Sequence, residues 1–189
     1  RLAEVMNAVA VTKVTTNLFG ERWSKLTVNC MANPLAGLSG YGSAEVRSEP
    51  VPSRIGIHVA AEAICVGGAS GYEVEPIYGI AAKRFVDAAE GRGYAEVAAD
   101  MAASAKHLSG GRPSLLQDVM RGRRTEIEYL NGYVCAEGKR LGVPTPNAQQ
   151  VQLVAAHEQR TQYERQPRPG VPQHAPILRH QRPAGSPTR

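Results

Sequence analysis

Apolar and polar positions follow two different rhythms along this chain, and the change falls near residue 20. Val11–Leu18, VTKVTTNL, is β-branched and partly alternating, which predicts a strand; residues 1–9 before it read as the end of a helix. From Glu21 to His157 the apolar spacing lengthens to the helical period. Helices are expected at 21–38, 54–66, 76–90, 95–108, 114–141 and 148–160. The stops between them are a Gly/Ser/Pro-rich loop at 39–52, Gly67 with Gly68, GRG at 91–93, Gly110 with Gly111, and Gly142. The stretch 114–141 is the clearest: Ser114 and Gln117 fit a capping box, and Leu116, Val119, Met120, Arg123, Ile127, Leu130, Val134 and Leu141 lie on its helical stripe. No second strand follows. A lone strand leaves its backbone groups unpaired, so its partners would belong to another chain or an upstream segment. The pattern predicts a mostly α domain of six helices with one orphan strand.

Composition narrows the picture. The low aromatic content, 5%, predicts an aliphatic core, and no window approaches the length of an apolar membrane span. The first residues, RLAEVMNAVA, lack the apolar region of a secretory signal and do not begin with Met, so the chain is expected to start inside a longer one and to be cytoplasmic. Cys30, Cys65 and Cys135 are widely spaced, which points to reduced thiols rather than a disulfide framework or zinc site. The net charge of +5 is not spread over the chain: residues 165–189 hold five Arg and no acid, leaving 1–164 neutral. That tail also has six of the thirteen prolines and no aromatic residue to stack on bases. It is expected to be a disordered, solvated tail, with no nucleic-acid partner and no membrane partner.

Several catalytic signatures are missing. GYGSAE at 40–45 and GRGYAE at 91–96 lack the third glycine of a dinucleotide fingerprint, and neither follows a strand. His58 and Glu62 read as a helical surface pair, so no metal is expected. What stands out is WSKLTVNCMAN at 23–33. Its Lys25, Asn29 and Asn33 are four residues apart, so they form a slightly slanted polar row on one face of an otherwise apolar helix.

WSKLTVNCMANPL at 23–35, PSLLQD at 113–118 and RRTEIEYLNG at 123–132 together resemble the C-terminal domain of the ketopantoate reductase (2-dehydropantoate 2-reductase) family. The resemblance runs in register from about residue 3 to residue 155. It implies an all-α, 6-phosphogluconate dehydrogenase C-terminal-like helical bundle, preceded by the end of a Rossmann-type domain that binds NADPH. The implied division is 1–18 as a remnant of that N-terminal domain, 19–160 as the all-α domain, and 161–189 as the Pro/Arg-rich tail. By the same resemblance, Lys25 is the catalytic proton donor, Asn29, Asn33 and Ser114 bind the 2-ketoacid substrate, and Glu126 reaches the ribose side of the cofactor. Ser43 stands where many members have a substrate-contacting Asn, Asn147 follows Pro146 one residue early, and the match ends near residue 157. The expected partners are a small 2-ketoacid and a Rossmann domain in cis or in trans, with a homodimer left open. Without that domain the chain is expected to be inactive alone. The competing expectation is a non-catalytic helical association domain or remnant, or a reductase for a different 2-ketoacid.

Overall fold

A computed structural model describes residues 1–106, 108 and 111–165, with the side chains of 162–165 outside the description. The described residues form nine helices: α1 (Leu2–Asn7), α2 (Leu18–Ser39), α3 (Ser43–Ser48), α4 (Pro50–Ala69), α5 (Ala82–Ala89), α6 (Tyr94–Ala105), α7 (Ser114–Met120), α8 (Asn131–Leu141) and α9 (Pro146–Arg165). The fold is all-α, as the sequence pattern requires. α9 runs on to Arg165, so residues 161–165, expected in the Pro/Arg-rich tail, are helical instead, and the rest of that expected tail lies outside the described residues.

The centre of the fold is the packing of α2 against α4. α2 starts where Asn17 accepts a hydrogen bond from the Gly20 amide at 3.1 Å, and it stops at Gly40, whose φ of 76° suits glycine. α4 begins with Pro50, whose missing N–H costs nothing in a first helical turn. Small residues on α4 let the two helices approach closely. Gly56 lies under Met31, and Gly67 lies under the ring of Trp23, whose indole N–H donates to the Ala63 carbonyl at 2.7 Å. Cys30, Met31, Ile57, Ala60, Ala63 and Val66 fill the seam.

α3, α5 and α6 cover one flank of this pair, with Val46, Phe85, Val97 and Met101 facing inward. Between α4 and α5 a tight turn pairs Ile77 with Ile80, and Tyr78 adopts a φ of 55° with the Arg47 guanidinium stacked 3.6 Å over its ring. α7, α8 and α9 form the other flank. The start of α9 is fixed from below by Glu62 of α4, whose carboxylate accepts from the Asn147 amide (2.9 Å), the Asn147 side chain (2.7 Å) and the Ala148 amide (2.8 Å). An acid at a helix start satisfies orphan donors and complements the helix dipole. Glu62 is therefore an internal strut rather than half of the expected surface pair with His58.

Four further expectations, on the elements themselves, change. Val11–Leu18 forms no strand among the described residues: Thr12 instead donates its amide to the Asn7 side chain, and Leu18 already belongs to α2. Unpaired β-branched residues have no ladder to hold them extended. The loop at 39–52 contains α3, and α4 starts four residues earlier than expected. The helix expected at 76–90 shrinks to α5 because the Ile77–Ile80 turn takes its first third. The long helix at 114–141 is two helices, α7 and α8, joined by an irregular turn at 121–130. Gly122, at a φ of 62°, breaks the first, and the amides of Arg121 and Gly122 close back on Gln117, Asp118 and Val119.

Candidate active site

The polar row survives intact. Lys25, Asn29 and Asn33 lie on one uninterrupted helix, α2, spanning about 12 Å along its axis. Lys25 is exposed, Asn29 half-buried and Asn33 buried at 9% exposure, so the row descends from solvent into the fold. Among the described residues no carboxylate forms an ion pair with Lys25. Each four-residue step drifts by about 40°, and the next position on the line is Gly37. There Leu115 of α7 packs directly on the helix: a Cβ at Gly37 would meet Leu115 Cδ2 at 2.3 Å. The absence of a side chain at residue 37 brings the start of α7 to the deep end of the row.

Ser114 is the first residue of α7 and is exposed. It is not the cap that the sequence pattern implied. Pro113 occupies the cap position, no side chain caps the helix, and Gln117 reaches back to the Arg112 carbonyl at 2.9 Å. The Ser114 hydroxyl is thus not consumed by capping. Ser43, at the start of α3, donates its amide to the Gly111 carbonyl at 2.9 Å, fixing the chain that leads into Ser114.

Glu126 is also exposed, and it sits in the turn between α7 and α8 rather than on a long helix. Its neighbours hold it. The Thr125 hydroxyl donates to Gln159 Oε1 of α9 at 2.7 Å, and Ile127 is buried with Leu115 and Ala155. Ser114 and Glu126 are therefore each one residue from the same small apolar cluster. The structure groups Lys25, Asn29 and Asn33 on one stripe and anchors Ser114 and Glu126 through that shared cluster.

Two supports of this arrangement are not apparent from local sequence. Gln159 comes from a segment with no motif of its own, and its tie to Thr125 spans 34 residues. Asn131 is fully buried at the start of α8 and donates from its side-chain nitrogen to the Cys30 carbonyl of α2 at 3.3 Å. A signal for the second existed: a proline inside a helical pattern leaves a carbonyl without its donor. Burial pushes the Cys30 thiol, beside the row, far above the ordinary thiol range, so it is inert.

Chemically, the row offers one solvent-facing ammonium, able to donate a proton and to stabilise a developing alkoxide, followed inward by two neutral amides that donate and accept. The chain belongs to the family described as "Ketopantoate reductase PanE/ApbA C terminal", whose model matches residues 17–158. Among curated proteins it is 32% identical over 150 residues to the 2-dehydropantoate 2-reductase of Salmonella typhimurium, covering 79% of this chain and 42% of that one. It is 31% identical over 121 residues to the 2-dehydropantoate 2-reductase of Archaeoglobus fulgidus, covering 64% and 34%. The chain thus spans less than half the length of these relatives. The fold is shared with a ketopantoate reductase from Ralstonia eutropha JMP134 (TM-score 0.64, 23% identity, 85% of this chain and 48% of that one). It is shared equally with D-mandelate dehydrogenase crystallised with NADH and anilino(oxo)acetate (TM-score 0.66, 20% identity, 85% and 48%).

Proposed function

We propose that this chain is the substrate-binding and proton-donating half of an NADPH-dependent 2-dehydropantoate 2-reductase, which converts ketopantoate to (R)-pantoate on the route to pantothenate and coenzyme A. The observation that carries this reading is the descent of Lys25, Asn29 and Asn33 from solvent into the fold along α2. The Lys25 ammonium donates the proton that the reduced carbonyl oxygen needs, and its positive charge stabilises that oxygen as negative charge develops on it. Asn29 and Asn33 bind the substrate's hydroxyl and carbonyl oxygen through neutral amides, which leave the lysine charged. Ser114, with its hydroxyl uncommitted to capping, hydrogen-bonds the substrate carboxylate.

NADPH, when bound, supplies the hydride. Of the residues named here, only Glu126 would contact it, and a single carboxylate fits a limited task. An exposed carboxylate held between Thr125 and Ile127 accepts hydrogen bonds from ribose hydroxyls and repels phosphate. The bulk of the cofactor would be held by a Rossmann domain, supplied in cis or in trans, with the residues ahead of the Asn17 cap as its trailing end. The chain works in the cytoplasm as part of that two-domain enzyme.

A related 2-ketoacid reductase is the second reading, because the same fold serves D-mandelate dehydrogenase and a lysine–asparagine wall suits any 2-ketoacid. The test joins the chain to a matching Rossmann half and follows NADPH oxidation with ketopantoate and with an aromatic 2-ketoacid. Turnover of ketopantoate with the larger kcat/KM is expected, and no turnover by the isolated chain. Preference for the aromatic acid moves the assignment to the second reading; turnover of neither by a folded two-domain protein refutes both and leaves a helical association domain.

A further inference from the structure

Pro34 lies inside α2, where the ordinary helical ladder would have the amide of residue 34 donate to the carbonyl of Cys30. Proline has no N–H, and its ring crowds the carbonyl four residues earlier, so the Cys30 oxygen lacks its ordinary donor from residue 34. That oxygen lies beside a fully buried thiol, in the seam of the fold, where an unmet acceptor is costly. The structure fills the position from 101 residues away: Asn131 Nδ2 donates to it at 3.3 Å. The amide can face only one way, since a carbonyl needs a donor. Asn131 Oδ1 is left buried with no partner among the described residues, a cost the fold carries to keep this contact.

The location of the contact gives it a consequence for chemistry. Cys30 lies between Asn29 and Asn33 on the helix that bears the polar row. Asn131 is the first residue of α8, and the turn ahead of it closes tightly: Glu126 O accepts from the amides of Tyr129 and Leu130, and Ile127 O accepts from Gly132. Glu126 is thus joined to Asn131 through two closed turns, and Asn131 is bound to α2 midway along the row.

Resting on the reading above, we propose that Asn131 is a positioning residue: its amide replaces the donor that Pro34 withholds, and in doing so sets the register of the Glu126 turn against Lys25, Asn29 and Asn33. The exchange makes the proposal separable from a stability effect. Replacing Pro34 by Ala returns an N–H to residue 34, which satisfies Cys30 O without any tether to α8.

The experiment compares Asn131 with Asn131→Ala in two backgrounds, the parent and Pro34→Ala. Urea midpoints are read on the 189-residue chain, and kcat and KM on the two-domain protein. In the parent background Asn131→Ala lowers both the midpoint and kcat/KM. In the Pro34→Ala background it leaves the midpoint nearly unchanged, yet still lowers kcat by on the order of 10-fold or more, because misplaced catalytic groups cost rate. If kcat recovers together with the midpoint, the bond is structural only and the proposal is wrong. If the midpoint loss is equal in the two backgrounds, Pro34 and Asn131 are not exchanging one hydrogen bond, and the proposal fails at its first step. If the two-domain protein keeps its activity with Lys25→Ala, the parent reading fails instead, while the urea comparison still reports on the exchange.

Discussion

Gly67 and Gly68 are consecutive residues of one helix, and alanine should act on them in opposite directions. In an exposed helix interior, Gly→Ala stabilises by up to about 1 kcal/mol through backbone entropy alone. At Gly68 a Cβ meets nothing within 4 Å, so that gain stands, reduced by the nearness of the helix end at Ala69. At Gly67 the same atom would lie 2.4 Å from Trp23 Nε1 and 2.5 Å from its Cδ1. Relieving that contact requires the ring to move by about 1 Å, and overpacking of this kind costs roughly 1–3 kcal/mol. The movement also pulls the indole N–H from the Ala63 carbonyl, which it meets at 2.7 Å. A buried donor left unpaired adds about 1–3 kcal/mol. With the propensity gain deducted, Gly67→Ala should destabilise by about 3 kcal/mol, or about 6–12 °C in Tm for a domain of this size, and Gly68→Ala should raise Tm by about 1–2 °C. Urea unfolding read by fluorescence is well matched to the question, because the sole tryptophan is the side chain being displaced. Equal stabilisation by the two substitutions would refute the close packing of α2 on α4.

Glu62→Ala should cost about 1–3 kcal/mol by stripping three donors at the start of α9, and Glu62→Gln should recover part of it; urea midpoints decide, and a silent Glu62→Ala would remove the strut. Hydrogen bonds from Lys83 and then Arg92 hold the Asp87 carboxyl below the usual carboxylate range. A depressed folded pKa stabilises above the unfolded value and loses that contribution as pH falls. The Tm gap between parent and Asp87→Asn should therefore be present at about pH 7 and close below about pH 4, and a gap that widens in acid would contradict this. Cys65 is exposed and should alkylate in the native protein, while fully buried Cys30 should react only on unfolding; mass spectrometry after timed labelling reads both.

Helix α2 was readable from residue 21 because its signals there are local: a 3.6-residue apolar rhythm, the Gly/Ser/Pro-rich stop and the polar row itself, whereas its first turn and Asn17 cap were hidden in the β-branched run before it. The row could be recognised as a wall because four-residue spacing fixes a face whatever lies around it. The break between α7 and α8 could not be read in the same way. The apolar stripe from Leu116 to Leu141 stays in phase across it, and what interrupts the helix is Gly122 together with long-range ties, Thr125 to Gln159 and Asn131 to Cys30. Glu126 was therefore placed on the wrong kind of element although the resemblance had singled it out. Val11–Leu18 failed for a complementary reason, since β-branched composition favours a strand only where a partner strand completes the ladder. The Ser114 cap failed because the serine follows Pro113, whose fixed φ already sets the helix start and moves the cap one residue back.

The central claim is that Lys25 is the proton donor of the two-domain enzyme, and steady-state kinetics of Lys25→Ala beside its parent test it most directly. A general acid that acts in the transition state predicts a fall in kcat of about 100-fold or more, with KM changed far less. A loss confined to KM, with kcat intact, would make Lys25 a binding residue and contradict the account.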